Sequence, residues 1–143
     1  MGQLQGESKS GAGVSSLGPW VLSPTAAASG LVVRGHQSTG TISSIVDSAG
    51  GTWVERIGST GAIKHWDRLG AAAGVTSVTV NFSSSCDAIM HLSERDDIDL
   101  YDQFAYTEVG TSTAPSSGNT PVTTYADEIA LGTFSTFSSD NLS

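Results

Sequence analysis

The chain has 143 residues, one cysteine and a formal net charge of −8, from 14 acidic and 6 basic side chains. That length suits one domain with a real core and no intrachain disulfide, and six scattered cations exclude the clustered Lys and Arg that phosphate backbones require. With 38% apolar and 14% charged residues the chain is unlike a disordered one, and no apolar run approaches the ~20 residues of a membrane-spanning helix.

Residues 1 to 18 are rich in Gly, Ser and Gln and carry almost no apolar periodicity, which predicts a flexible N-terminal arm followed by one domain over 19–143. The start lacks the basic and apolar regions of a signal peptide. Gly6 stands where a myristoylation signal wants Ser or Thr, so the chain is expected to be made in a cytoplasm. Trp20-Val21-Leu22 is a short apolar run stopped by Ser23-Pro24, a first strand or an anchoring segment. Leu31-Val32-Val33 starts the next strand, with Arg34 and His36 at its end. Ile42–Val46 and Thr52–Ile57 read as a hairpin around the turn Asp47-Ser48-Ala49-Gly50-Gly51. Ile63–Leu69, Val75–Phe82 and Ala88–Leu92 follow as strands, the second ending in a clean apolar/polar alternation. Tyr101–Val109 is expected as a further strand, residues 110–119 as a Ser/Thr/Pro/Gly loop, Pro121–Thr124 as a short extended piece and Ile129–Phe134 as the last strand. No amphipathic helix longer than a turn or two is visible, and the fold class expected is all-β.

The order of these signals carries a resemblance. Asp47-Ser-Ala-Gly-Gly-Thr-Trp53, then Trp66, Ala73-Gly74 and Val78-Thr-Val-Asn-Phe82, resembles a widespread family of bacterial and phage β-sandwich domains. Those domains carry a D-S-x-G-N-x-[WY] turn and an A-G-x-x-x-V-T-V-x-F strand. Leu100-Tyr-Asp-Gln103, Pro115-Ser-Ser-Gly118 and Ala126-Asp-Glu-Ile-Ala-Leu-Gly132 are similar to the family's next landmarks, in the same order, over roughly residues 30 to 135. The resemblance implies an antiparallel β-sandwich, jelly-roll or Ig-like, of the kind found in secreted multidomain proteins and in virions of tailed phages. Family domains continue for several strands beyond the position of Gly132, whereas this chain ends at Ser143. The expectation is therefore a sandwich with open edges that other subunits complete.

Few residues offer chemistry. His36, His65 and His91 are far apart in sequence and read as lone histidines with local hydrogen bonds, since zinc would need converging N or S ligands. Cys86 precedes Asp87 and reads as a small, partly buried strand residue rather than an activated thiol. There is no Gly-x-Ser-x-Gly elbow and no phosphate-cradling glycine loop. Glu94, Asp96, Asp97, Asp99 and Asp102 form an acidic loop that could meet a cation or a basic partner. Its spacing does not match a calcium loop, and Arg95 sits inside it. Trp53 and Trp66 are expected in the core; the three tryptophans together could instead make a sugar-stacking platform. Trp20, with Val21 and Leu22, is the candidate partner-binding segment.

These readings predict a non-enzymatic structural protein of a phage virion, with no catalytic residue, metal or cofactor. The role expected is a small capsid decoration or cement subunit, or a head/tail accessory subunit, that stabilises the particle. The partners expected are further copies of itself, a trimer among the options, and major capsid or tail proteins. No nucleic acid and no membrane is involved. The alternative is an extracellular carbohydrate-binding module or adhesion domain that recognises surface glycans.

Overall fold

The computed structural model describes residues 2–56, 62–71, 73–98, 100–103, 105, 114, 116, 118–124 and 129–133. Six strands form one antiparallel sheet: β1 (Gln3–Val21), β2 (Ser29–Gln37), β3 (Ile42–Asp47), β4 (Val54–Glu55), β5 (Ile63–Ala71) and β6 (Ser77–Arg95). The chain is all-β, with no helix among the described residues. The order is β1-β6-β2-β5-β4, and β3 lies on the same side of β6 as β2, further along it.

β6 organises this arrangement. Its side chains alternate so that Val78, Val80 and Phe82, then Cys86, Ala88, Met90 and Leu92, all turn to the core. Ser83–Ser85 interrupts the apolar series without interrupting the strand, so the two strands expected from sequence are one. At this level both neighbours slip register. On β1 the shifts fall between Gly11 and Ser16, and on the other side β2 ends at Gln37 and β3 begins at Ile42. The gap between β2 and β3 is closed by hydrogen bonds: Ser38 N donates to Asp87 O, and Ser83 N to Thr41 O. Side chains complete it, Ser38 Oγ accepting from Asp87 N and Ser83 Oγ from Thr41 N.

Residues 3–18, expected as a flexible arm, belong to β1 and run antiparallel along β6 from Arg95 down to Val80. Most side chains of β1 are exposed, so its amphipathic signal is absent; backbone pairing holds it instead. Only Leu17 and Trp20 of this strand enter the core fully. The Trp20 indole is completely buried, and its Nε1 donates to the Glu7 carbonyl at 3.0 Å, tying the two ends of the strand together.

The turn after β3 exists, but the hairpin expected around it does not. β3 pairs with β6, while β4 pairs with β5. The reason lies in the Asp47 carboxylate, which is occupied as a hub. It accepts from Ala49 N at 2.9 Å and from the Trp53 indole at 2.9 Å, and it forms an ion pair with the Arg68 guanidinium at 2.6 Å. Trp53 is thereby drawn into the core instead of pairing across the turn. Gly51 is required here, because a Cβ would lie 1.9 Å from Arg68 Cζ. Burial pushes the Asp47 carboxyl up, but Arg68, Trp53 and the Ala49 and Gly51 amides together hold it below its ordinary value.

The strand expected at Ile129–Phe134 is not formed over its described residues, Ile129–Thr133, and Tyr101–Gln103 and Ala105 are likewise outside any strand. The rest of Tyr101–Val109 lies outside the described residues. Alternating apolar residues make a strand only when a neighbour supplies hydrogen bonds, and the described sheet ends at β4 and β1. The segment after β6 does touch the sheet. Ile98 sits so close to Gly30 that a Cβ there would meet its Cγ1 at 2.5 Å, and the Tyr101 ring lies 4.4 Å from Arg56.

Replacing Asp47 with Ala leaves the largely buried Arg68 and the Trp53 indole without their acceptor, a loss of about 3 kcal/mol. Urea unfolding followed by tryptophan fluorescence measures it; a change below about 1 kcal/mol would show that the hub is dispensable.

Candidate functional site

Three adjacent strands, β6, β2 and β5, set a row of polar side chains across the sheet face opposite Val33 and Leu92. On β2 the alternation that buries Leu31 and Val33 sends Arg34 and His36 to the other face. Arg34 pairs with His91 of β6 on one side and with His65 of β5 on the other. β1 continues the row with Ser8, whose Oγ lies 3.0 Å from His91 Nδ1. The order across four strands is thus Ser8, His91, Arg34, His65. Gly35, next to Arg34, lets β2 and β6 approach closely, since a Cβ there would meet the Ile89 carbonyl oxygen at 2.1 Å.

A shallow depression of about 380 Å³, largely open to solvent, lies over this row, lined by Ser8, Arg34, His36, Ile89 and His91 and also by Gly132 and Thr133. Its size falls within the range of small-molecule sites, ~300–1,000 Å³. The electrostatics are cationic to neutral. Burial lowers the pKa of His36 and, with the Arg34 charge beside it, that of His91. Burial also lowers His65, where Asp67 pulls upward and Arg34 and Arg56 push further down. Arg34 itself is lowered by burial and by the neighbouring Arg95, and an arginine remains charged through such changes.

The Ser8–His91 contact has the distance of a nucleophile and its base. The charged neighbour of His91 is the cation Arg34, and among the described residues no carboxylate is seen to orient the imidazole as in a hydrolytic triad. Among the described residues, no group of three His, Cys, Asp or Glu side chains converges as a metal site would require. Sequence distance concealed this row; the signal that could have found it is the shared parity of Arg34 and His36 on one strand.

The acidic loop is dispersed. Glu94 points to the buried side, where Gln5 Nε2 and Ala26 N donate to it. Asp96 accepts from Gly2 N, Asp97 makes a two-pronged pair with Arg95, and Asp102 accepts from Thr124 N. Asp99 lies outside the described residues. A strand that sends alternate side chains to opposite faces cannot converge them on one ion.

Of the segment singled out for partner binding, Trp20 and Leu22 are core residues and Val21 is 77% exposed. Trp53 is buried, and Trp66 packs partly buried against the core with its Nε1 enclosed. Trp20 and Trp53 therefore offer no open ring face for sugar stacking. Cys86 is buried, its thiol raised first by burial and then by Asp87.

No protein-family model, no curated protein and no solved structure matches the chain.

The row sets a pH dependence. Folded His36, His65 and His91 bind protons less readily than the ordinary value of 6.5 allows, so the unfolded chain takes up more protons below that pH. Stability is full above the unfolded value and falls as pH drops below about 6.5. Asp47 adds a second loss lower down, since a carboxyl held below 3.8 stabilises above that value and ceases to do so as acid protonates it. Urea midpoints across the pH range measure both steps; a midpoint that stays level or rises from neutral pH into the range below 6.5 would contradict the first.

Proposed function

We propose that this chain is a non-enzymatic structural protein of a phage virion, a small capsid decoration or head/tail accessory subunit. It stabilises the particle by binding further copies of itself and major capsid or tail proteins. On this reading the sheet is one part of a β-sandwich of jelly-roll or Ig-like type, which neighbouring subunits extend.

The observation that carries the reading is the edge formed by β1. This strand is 19 residues long and has β6 on one side. Among the described residues no strand pairs with its other side. A long edge of unpaired N–H and C=O groups is a template on which a second chain can add a strand. Main-chain pairing of that kind needs no particular side chain, which suits the Gly- and Ser-rich composition of β1. Apolar side chains lie along the same element: Leu4 is 49% and Val21 77% exposed. Val21 pairs with Ser77 and Val46 with Thr79, so two exposed valines flank one end of β6 on its outer face. An interface of ~1,600 Å² suffices for stable association, and many symmetric copies on a shell multiply a weak contact into firm attachment.

Light scattering on the purified protein tests this. The expected mass is a multiple of 14.6 kDa, and the double variant Leu4→Lys, Val21→Lys returns it to the single-chain value with the fold unchanged by circular dichroism. A wild-type protein that stays at 14.6 kDa at every concentration and does not bind virions would overturn the reading.

A further inference from the structure

The chain has four arginines, and three of them are matched to a carboxylate. Arg56 holds Asp67 through two hydrogen bonds of 2.7 and 2.9 Å, Arg68 meets Asp47 at 2.6 Å, and Arg95 holds Asp97 at 2.8 and 2.9 Å. Arg34 is the exception: no carboxylate among the described residues pairs with it. It is half-buried, and the charge of Arg95 acts on it. In a chain of net charge −8, an arginine without an ion pair among the described residues is a conspicuous placement.

A second observation points into the same space. Thr133 lines the cavity beside Arg34, and its Oγ1 is buried without a hydrogen-bond partner. A buried hydroxyl left unsatisfied costs free energy that a ligand acceptor would recover. Ser8 lines the cavity as well. In the His91 tautomer with a proton on Nδ1, the ring donates to Ser8 Oγ and leaves the serine proton free to donate onward. The cavity thus gathers a guanidinium, two hydroxyls and imidazole edges, with the Ile89 side chain as an apolar wall. Donors outnumber acceptors, which is the chemistry of an anion site.

We propose that this cavity binds a small oxyanion, a carboxylate or phosphate group on a compact body, held by the Arg34 guanidinium and the Ser8 and Thr133 hydroxyls. The guanidinium fork presents two parallel N–H donors to two oxygens of the anion. The two hydroxyls complete the shell, and the Ile89 side chain packs against the carbon body. This goes beyond the attachment role and is independent of it, because a single chain contains every group named.

Calorimetric titration with glucuronate and with inorganic phosphate tests the proposal, with glucose as the uncharged control and histidine NMR signals as a second readout. At least one of the two anions binds one per chain and shifts the His91 resonance, while glucose does neither. Arg34→Gln weakens binding by about tenfold or more, the loss expected for one charge-assisted hydrogen-bonded pair, and Arg34→Lys restores part of it. Preference for glucuronate assigns a carboxylate ligand, and preference for phosphate a phosphorylated one. Should Arg34→Gln fail to fold, Ile89→Trp keeps the test open: Ile89 is 54% exposed, and the larger ring fills the cavity and abolishes binding. No binding of either anion up to ~10 mM, equal binding of glucose, or unaltered affinity in both Arg34→Gln and Ile89→Trp would overturn the proposal.

Discussion

Because β6 is flanked along nearly its whole length, by β1 on one side and by β2 and then β3 on the other, the remaining structure takes its register from this one strand. Its side chains at 78, 80 and 82 and at 86, 88, 90 and 92 supply the spine of the core. A single slip of register would send all of them to the opposite face. The Ser83–Asp87 stretch is where that constraint is relaxed. There, backbone and hydroxyl hydrogen bonds to Ser38 and Thr41 hold the strand while both neighbours shift. Everything else is attached at second hand: β5 through β2, and β4 through β5.

Charge placement follows from the same geometry. Acids and arginines brought together by the fold meet in pairs, Asp47 at the end of β3 with Arg68 of β5, and Asp67 of β5 with Arg56 just after β4. Both carboxylates are almost fully buried, so each pair ties a turn or an edge to the sheet rather than decorating its surface. Arg34 shares its strand face with His36 and stands between His91 and His65, so its neighbours on the sheet are imidazoles. On the proposed reading, the contrast between paired and unpaired cations marks the cavity side of the sheet as the place for ligand recognition. The β1 edge, by comparison, is where the proposed assembly would occur, with backbone groups rather than side chains making the contacts. The two features lie on different parts of the fold and impose different chemistry.

Much of this was legible in the residues. Leu31-Val-Val33, Ile42–Val46 and Ile63–Leu69 announce strands through β-branched runs and alternation, and each lies in one, while Val75–Phe82 and Ala88–Leu92 fall mostly within the single long strand β6, from Ser77 on. β1 was not legible, because an edge strand with both faces largely exposed has no reason to alternate; its Ser, Gly and Gln look like a linker until its partner is known. The hairpin was misread since turn chemistry at Asp47–Gly51 says that the chain bends, not which strand it meets afterwards. At Ile129–Thr133 apolar residues suggested a strand for which no described partner exists. The Arg34 row was concealed for a related reason. Ser8, Arg34, His65 and His91 come from four separate strands, and only pairing register brings them side by side.

Amide hydrogen exchange across β1 and β6 examines the central relationship most directly. With β1 paired to β6, amides between Gln3 and Val21 are protected in an alternating pattern, and those of Val78–Leu92 are the slowest in the protein. Uniformly fast exchange over residues 3–18, alongside a protected β6, would mean that the long strand has no such neighbour and that the account built on it is wrong.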